Sequence, residues 1–185
     1  MDLEKIIRKS GINSRRKGKT FEYQCKKLIS DYLEIPYDYL ETPFDRKGQA
    51  LGDVIISGKY FHRLPLFVDF KKREVYELKS LYSNFDKSSV FNDYLKSRDR
   101  IRKEEWDNFC LIWSKNYYPI FILGLKETLL SLIDVDNPQD FMVLLEELKG
   151  YSFYYSLKEK KWFFMCPFDT FLFLRRKKLQ KEGIL

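Results

Sequence analysis

Histidine is nearly absent from this sequence: His62 is the single one among 185 residues. One imidazole is enough for Ser–His or Cys–His chemistry only if a nucleophile motif accompanies it. No GxSxG-type elbow accompanies it, so His62 reads as structural or incidental. Cysteine is scarce as well. Cys25, Cys110 and Cys166 are odd in number, far apart and without a CxxC spacing. That argues against a disulfide framework or a structural zinc site and suits a reducing compartment. Long hydrophobic runs are missing too. The longest, YYPIFILGL at Tyr117–Leu125, is well short of the roughly 20 residues a membrane span needs. The opening MDLEKIIRKS lacks the apolar centre of a signal peptide. No repeat or low-complexity segment is visible. The expectation is an intracellular protein, cytoplasmic or nucleoid-associated, with no membrane partner.

Aromatic and basic residues, in contrast, are abundant. Hydrophobic content of 44% marks a globular chain, and the length suits one domain with room for an appended subdomain. Aromatics fill cores but also stack on bases, so their number decides nothing alone. Net charge is +7, and its placement says more than its size. Residues 1–27 hold nine basic residues against Asp2, Glu4 and Glu22, which is nearly the whole surplus. A second cluster, Arg175-Arg176-Lys177-Lys178, lies near the C-terminus. Such concentration favours an anionic partner, nucleic acid before a membrane surface.

Hydrophobic periodicity and turn residues predict the elements. Residues 1–14 read as a basic arm with a short helical piece over Leu3–Lys9 ending near Gly11. Asn13 or Ser14 would cap a helix through Leu33. In that helix Phe21, Cys25, Leu28 and Tyr32 form an apolar stripe, and Glu22 lies at its edge. Tyr37–Glu41 reads as a strand, TPFDRKGQALG as a loop, Asp53–Ser57 as a strand, and Ser57-Gly58-Lys59 as a turn. Leu66–Lys71 is a further strand, introduced by Pro65. Residues 73–83 are ambiguous, and 84–114 read as mostly helical, with Phe91, Leu95, Ile101 and Trp106 as partial stripe members. Pro119–Leu125 is a strand, followed by helices at 127–133 and 138–149. Tyr151–Leu157 and Lys161–Cys166 form a hairpin, and a last helix over 168–181 carries the second basic cluster.

Four side chains in this order carry a chemical suggestion. Glu22 sits on the first helix, Asp53 opens a strand, and Asp69 and Lys71 share the next one. Period-two alternation puts Asp69 and Lys71 on one face, about 7 Å apart along the strand. Converging carboxylates suit Mg²⁺, a hard ion that keeps several of its waters. Such an ion activates water and neutralises charge on a phosphate undergoing hydrolysis. A neighbouring lysine can orient the water or steady the phosphate oxygens. Each residue also has a plain structural reading: Asp53 closing a turn, Glu22 pairing with Lys26 one helical turn on, Asp69 pairing with Lys71 or Arg73.

The arrangement resembles the PD-(D/E)xK nuclease superfamily, and within it the archaeal-type Holliday junction resolvases and related phage enzymes. Over roughly residues 14–72, Arg15-Arg16-Lys17-Gly18 and then Phe21-Glu22 match the family's basic arm and first-helix glutamate. Gly52-Asp53-Val54-Ile55 matches its PD strand, and Asp69-Phe70-Lys71 its (D/E)xK. Glycine stands where the motif has proline, aspartate where the subgroup favours glutamate, and the Asp53–Asp69 interval is long. Glu77-Leu78-Lys79 is a second, alternative match to (D/E)xK.

The resemblance implies an α/β, restriction-endonuclease-like core with a central mixed β-sheet over 15–125, behind the arm of 1–14. Residues 126–185 would be a C-terminal α/β extension packed on that core. It implies a homodimeric, Mg²⁺-dependent endodeoxyribonuclease, with Mn²⁺ able to substitute, that resolves four-way junctions. Asp53 and Asp69 would ligate the metal, joined by Glu22 and the Phe70 carbonyl, and Lys71 would act on water or phosphate. Asp45 and Gln49 lie in the loop before Asp53, within reach of the metal or its waters. Arg15, Arg16, Lys17 and Lys19 would hold flanking phosphates of branched or duplex DNA. Restriction-like or flap- and end-specific cleavage, and a non-catalytic nucleic-acid-binding module, are the alternatives.

Overall fold

The computed structural model describes residues 3–42, 52–73, 78–115, 119–133 and 151–185; the side chains of 3–16 and of residue 78 lie outside that description. Asp45, Gln49, Glu77 and the expected helix at 138–149 fall outside the described residues.

The first helix, α1, runs unbroken over Leu3–Leu33. The expected break near Gly11 and fresh cap at Asn13 or Ser14 are absent, and the helix passes straight through the arm boundary at residue 14. A glycine in a helix interior costs about 1 kcal/mol. Burying Phe21, Cys25, Ile29 and Leu33 returns about 2 kcal/mol for each large side chain, so docking outweighs the glycines. The buried stripe ends on Ile29 and Leu33, with Leu28 and Tyr32 half-buried beside it.

After α1, a 3-10 turn at Tyr37–Tyr39 leads into β1 (Leu40–Glu41), so only the end of the expected strand is extended. β1 pairs antiparallel with β2 (Ile55–Ile56). The turn expected at Ser57–Lys59 is a longer 3-10 segment, Gly58–Arg63. β3 follows at Phe67–Arg73, then α2 (Leu78–Ser83) and α3 (Ser89–Arg98). Ser88 caps α3 by accepting the Phe91 N–H.

The helical expectation for 84–114 fails at its end, where Phe109–Lys115 is a strand, β4, paired in parallel with β3. FCLIWS is buried on both faces, so it lacks the alternation that marks a half-exposed strand. β5 (Phe121–Leu125) and α4 (Lys126–Leu132) come next, then β6 (Ser152–Ser156), β7 (Lys161–Pro167) and α5 (Phe168–Lys181).

The result is an α/β fold with a five-stranded mixed sheet in the order β3-β4-β5-β7-β6. Strands from 151–167 extend the same sheet that β3 begins, with Ile122 opposite Cys166 across β5 and β7. Alternation along the strands feeds two cores. Val68, Phe70, Cys110, Ile112, Phe164 and Cys166 face α1, α4 and α5. Phe67, Leu111, Trp113, Phe163 and Met165 face α2 and α3. None of the described helices is long and apolar enough to cross a membrane.

The C-terminal basic cluster is largely spent inside the fold. Arg175 is buried and donates to three backbone oxygens, those of Arg63 at 2.9 Å, Leu132 at 3.1 Å and His62 at 2.7 Å. Arg176 donates to the Tyr32 carbonyl and to Glu34, and Lys178 to the Ser131 carbonyl. Fixed donors at these positions knit α5 to the end of α1 and to the loop before β3.

Candidate active site

β3 is an edge strand, and its free side builds the site. Val68 exchanges backbone hydrogen bonds with Val54, and the Asp53 and Val54 N–H groups both donate to the Val68 oxygen, at 2.9 and 3.0 Å. Two successive donors on one acceptor make a bulge, which bends the chain and re-aims a side chain. Here the bulge turns the Asp53 carboxylate along β3, where Oδ2 accepts the Phe70 N–H at 2.7 Å. Gly52, just before it, has φ of 155°, a value closed to proline. Glycine at the motif's proline position therefore fits the local backbone.

Because Val68 turns both its N–H and C=O to this edge, alternation turns the Phe70 pair the same way. The Phe70 carbonyl thus belongs to the edge that carries Asp53.

Asp69 points to the α3 side of the sheet and is 0% exposed. Its Oδ2 accepts from Lys71 Nζ at 2.6 Å, from Arg100 Nη2 at 3.0 Å and from the Ser97 hydroxyl. Its Oδ1 is buried without a hydrogen-bond partner among the described residues. Burial and the adjacent negative charge of Asp69 push the Asp53 carboxyl up to about 7, although the Phe70 N–H and Lys71 pull it down. Asp53 is thus close enough to Asp69 for the two charges to be felt by each other. Like charges held together in a dry site favour a shared proton or a bound cation.

Three of the four residues singled out in the sequence therefore meet. Glu22 does not join them: it is half-buried and pairs with Lys26 at 2.8 Å, the plain i,i+4 arrangement. Among the described residues no group of three or more His, Cys, Asp and Glu side chains is gathered as a metal site. Lys17 and Lys19 are exposed on α1, and Lys19 is one turn before Glu22. The backbone of Arg15 and Arg16 continues that helix, while their side chains fall outside the described ones. Lys79 is exposed on α2, a helix and not a strand.

Sequence reasoning missed Ser97 and Arg100. Ser97 lies in the last turn of α3 and Arg100 in the turn just after it, and nothing in their spacing announces Asp69 as their partner. A related pair, Arg73 with Asp93 at 2.6 and 2.5 Å, also ties β3 to α3. Cys25, Cys110 and Cys166 are free and buried, and burial pushes each thiol up, away from reactive thiolate.

A buried oxygen with no partner is the feature that a metal would relieve. Leaving a carboxylate oxygen unsatisfied in the interior is costly. Asp53, Asp69 and the Phe70 carbonyl are all oxygen donors, the kind Mg²⁺ and Mn²⁺ accept. In this respect the residues present fit a divalent cation. No protein-family model matches the chain, and no curated protein or solved structure matches it either.

Proposed function

We propose that the protein is a metal-dependent structure-specific DNA endonuclease of the PD-(D/E)xK type, with a restriction-endonuclease-like core, that resolves four-way junctions as a homodimer. One observation carries this reading. The bulge at Asp53 sets its carboxylate beside Asp69 at a sheet edge, with Lys71 Nζ 2.6 Å from Asp69.

In this reading Asp53, Asp69 and the Phe70 carbonyl would hold Mg²⁺ or Mn²⁺, and Glu22 would join through a water. The ion supplies Lewis-acid activation of water and neutralises charge on the phosphate being cut. The chain's own residues do the rest. Lys71, partly exposed above the pair, meets the attacking water or a phosphate oxygen. The Phe70 N–H holds Asp53 at a fixed angle. Lys17 and Lys19, with Arg15 and Arg16 earlier on the helix, bind phosphates on either side of the scissile one. Two copies related by a two-fold axis would cut opposing strands of a symmetric junction.

The decisive test is cleavage of a labelled immobile four-way junction, beside duplex, flap and single-stranded controls, with Mg²⁺ and with EDTA. Paired symmetric nicks near the branch, only with metal, support the proposal. Cutting of flaps or plain duplex keeps the nuclease and removes the junction. Binding without cutting in Mg²⁺ or Mn²⁺ leaves a nucleic-acid-binding module and overturns the enzyme.

A further inference from the structure

The hydrogen bonds to Asp69 are unevenly shared. A carboxylate offers about four acceptor sites over two oxygens. Here Lys71, Arg100 and Ser97 all converge on Oδ2, and Oδ1 is left buried with no partner among the described residues. Arg100 Nη2 also donates to Ser97 Oγ at 2.9 Å, so the two residues act as one unit. That unit spans the last turn of α3 and the turn after it, and its guanidinium reaches in from a side chain that is 45% exposed.

Lys71 alone would neutralise Asp69, so Arg100 calls for an explanation. Under the nuclease reading, Lys71 must be able to leave Asp69 for water or phosphate. If Lys71 were the only counter-charge, its departure before a cation is bound would strand a buried carboxylate. A guanidinium that never deprotonates, anchored through Ser97, removes that difficulty.

We propose that Arg100, with Ser97, is a positioning residue. It clamps Oδ2 of Asp69 so that Oδ1 remains the atom offered to a divalent cation, and it releases Lys71 for chemistry. The proposal rests on the nuclease reading. Its effect runs through Asp69, with no DNA contact of its own.

The test uses the full chain and Mn²⁺ alone as probe. Mn²⁺ binding to the DNA-free protein is read by electron paramagnetic resonance, and junction cutting is titrated with Mn²⁺ in parallel. Arg100→Ala should bind Mn²⁺ about ten-fold or more weakly, within the range seen for residues that support metal ligands. Its cutting should recover partly at raised Mn²⁺, while DNA affinity in EDTA and its salt dependence match the wild type. Arg100→Lys should fall between the two. If alanine lowers the melting temperature, Arg100→Gln, which keeps an N–H donor but loses the charge, replaces it. Unchanged Mn²⁺ affinity and cutting in a folded variant would overturn the proposal while leaving the nuclease standing. Weakened DNA binding with a shallower salt dependence and intact Mn²⁺ affinity would also overturn it, making Arg100 a phosphate contact. A wild type that neither binds Mn²⁺ nor cuts would defeat the nuclease reading itself.

Discussion

Phe70 donates its backbone N–H to Asp53 Oδ2 over 2.7 Å, so the residue between Asp69 and Lys71 fixes the third member of the group. One strand thereby sets all three side chains: two by alternation and one by a hydrogen bond. Moving any of them disturbs the same edge.

Removing charge at this edge should abolish cutting without abolishing binding. Asp53→Asn, Asp69→Asn and Lys71→Ala are each expected to lower single-turnover cleavage by about 10²-fold or more, with junction affinity retained in gel-shift assays. Wild-type-like cutting by any one of them would refute its assigned role.

Glu22 should matter less. Its partner is Lys26, so Glu22→Gln is expected to slow cutting by about ten-fold, far short of Asp53→Asn, in line with a group acting through water. A loss equal to that of Asp53→Asn in the same assay would show that Glu22 leaves Lys26 and ligates directly.

Metal-free stability should depend on pH through Asp53. Its carboxyl is pushed up from 3.8 to about 7 by burial and by Asp69, so the folded protein holds the proton more tightly than the unfolded chain. The contribution is complete below the unfolded value and declines as pH rises toward the folded one. In EDTA, wild type should lose more stability than Asp53→Asn between about pH 4 and pH 7. Urea melts across that range would show it, and parallel curves for the two proteins would contradict it. Added Mg²⁺ should offset the loss at the upper end.

The two basic clusters should behave differently. Arg175→Ala leaves three backbone oxygens without their donor and should cost about 3 kcal/mol or more, with little change in the salt dependence of DNA binding. Lys17→Ala and Lys19→Ala should leave melting nearly unchanged, and each should flatten the slope of log affinity against log salt by about 0.9. A stable Arg175→Ala protein with a flattened slope would reverse the assignment.

Much of this molecule was legible in its local order. The 3.6-residue stripe marked α1, the two-residue alternation put Asp69 and Lys71 on one face, and the hairpin read over Tyr151–Leu157 and Lys161–Cys166 is the β6–β7 pair. These are properties of neighbouring residues, so adjacency in the chain is enough to read them. β4 was misread because a strand buried on both faces shows no alternation, and its pairing with β3 on one side and β5 on the other is what makes it a strand.

The sequence by itself determined which residues carry acid, base and apolar stripe, and that Asp69 and Lys71 travel together. The tertiary structure decided who meets whom. The bulge against Val68 brings Asp53 to Asp69, the docking of α3 delivers Ser97 and Arg100 to the same carboxylate, and the packing of α5 against the end of α1 and the loop before β3 buries Arg175 in structural service. Those encounters depend on how separate elements pack against the sheet, a global balance of buried surface and paired charge that no local spacing encodes.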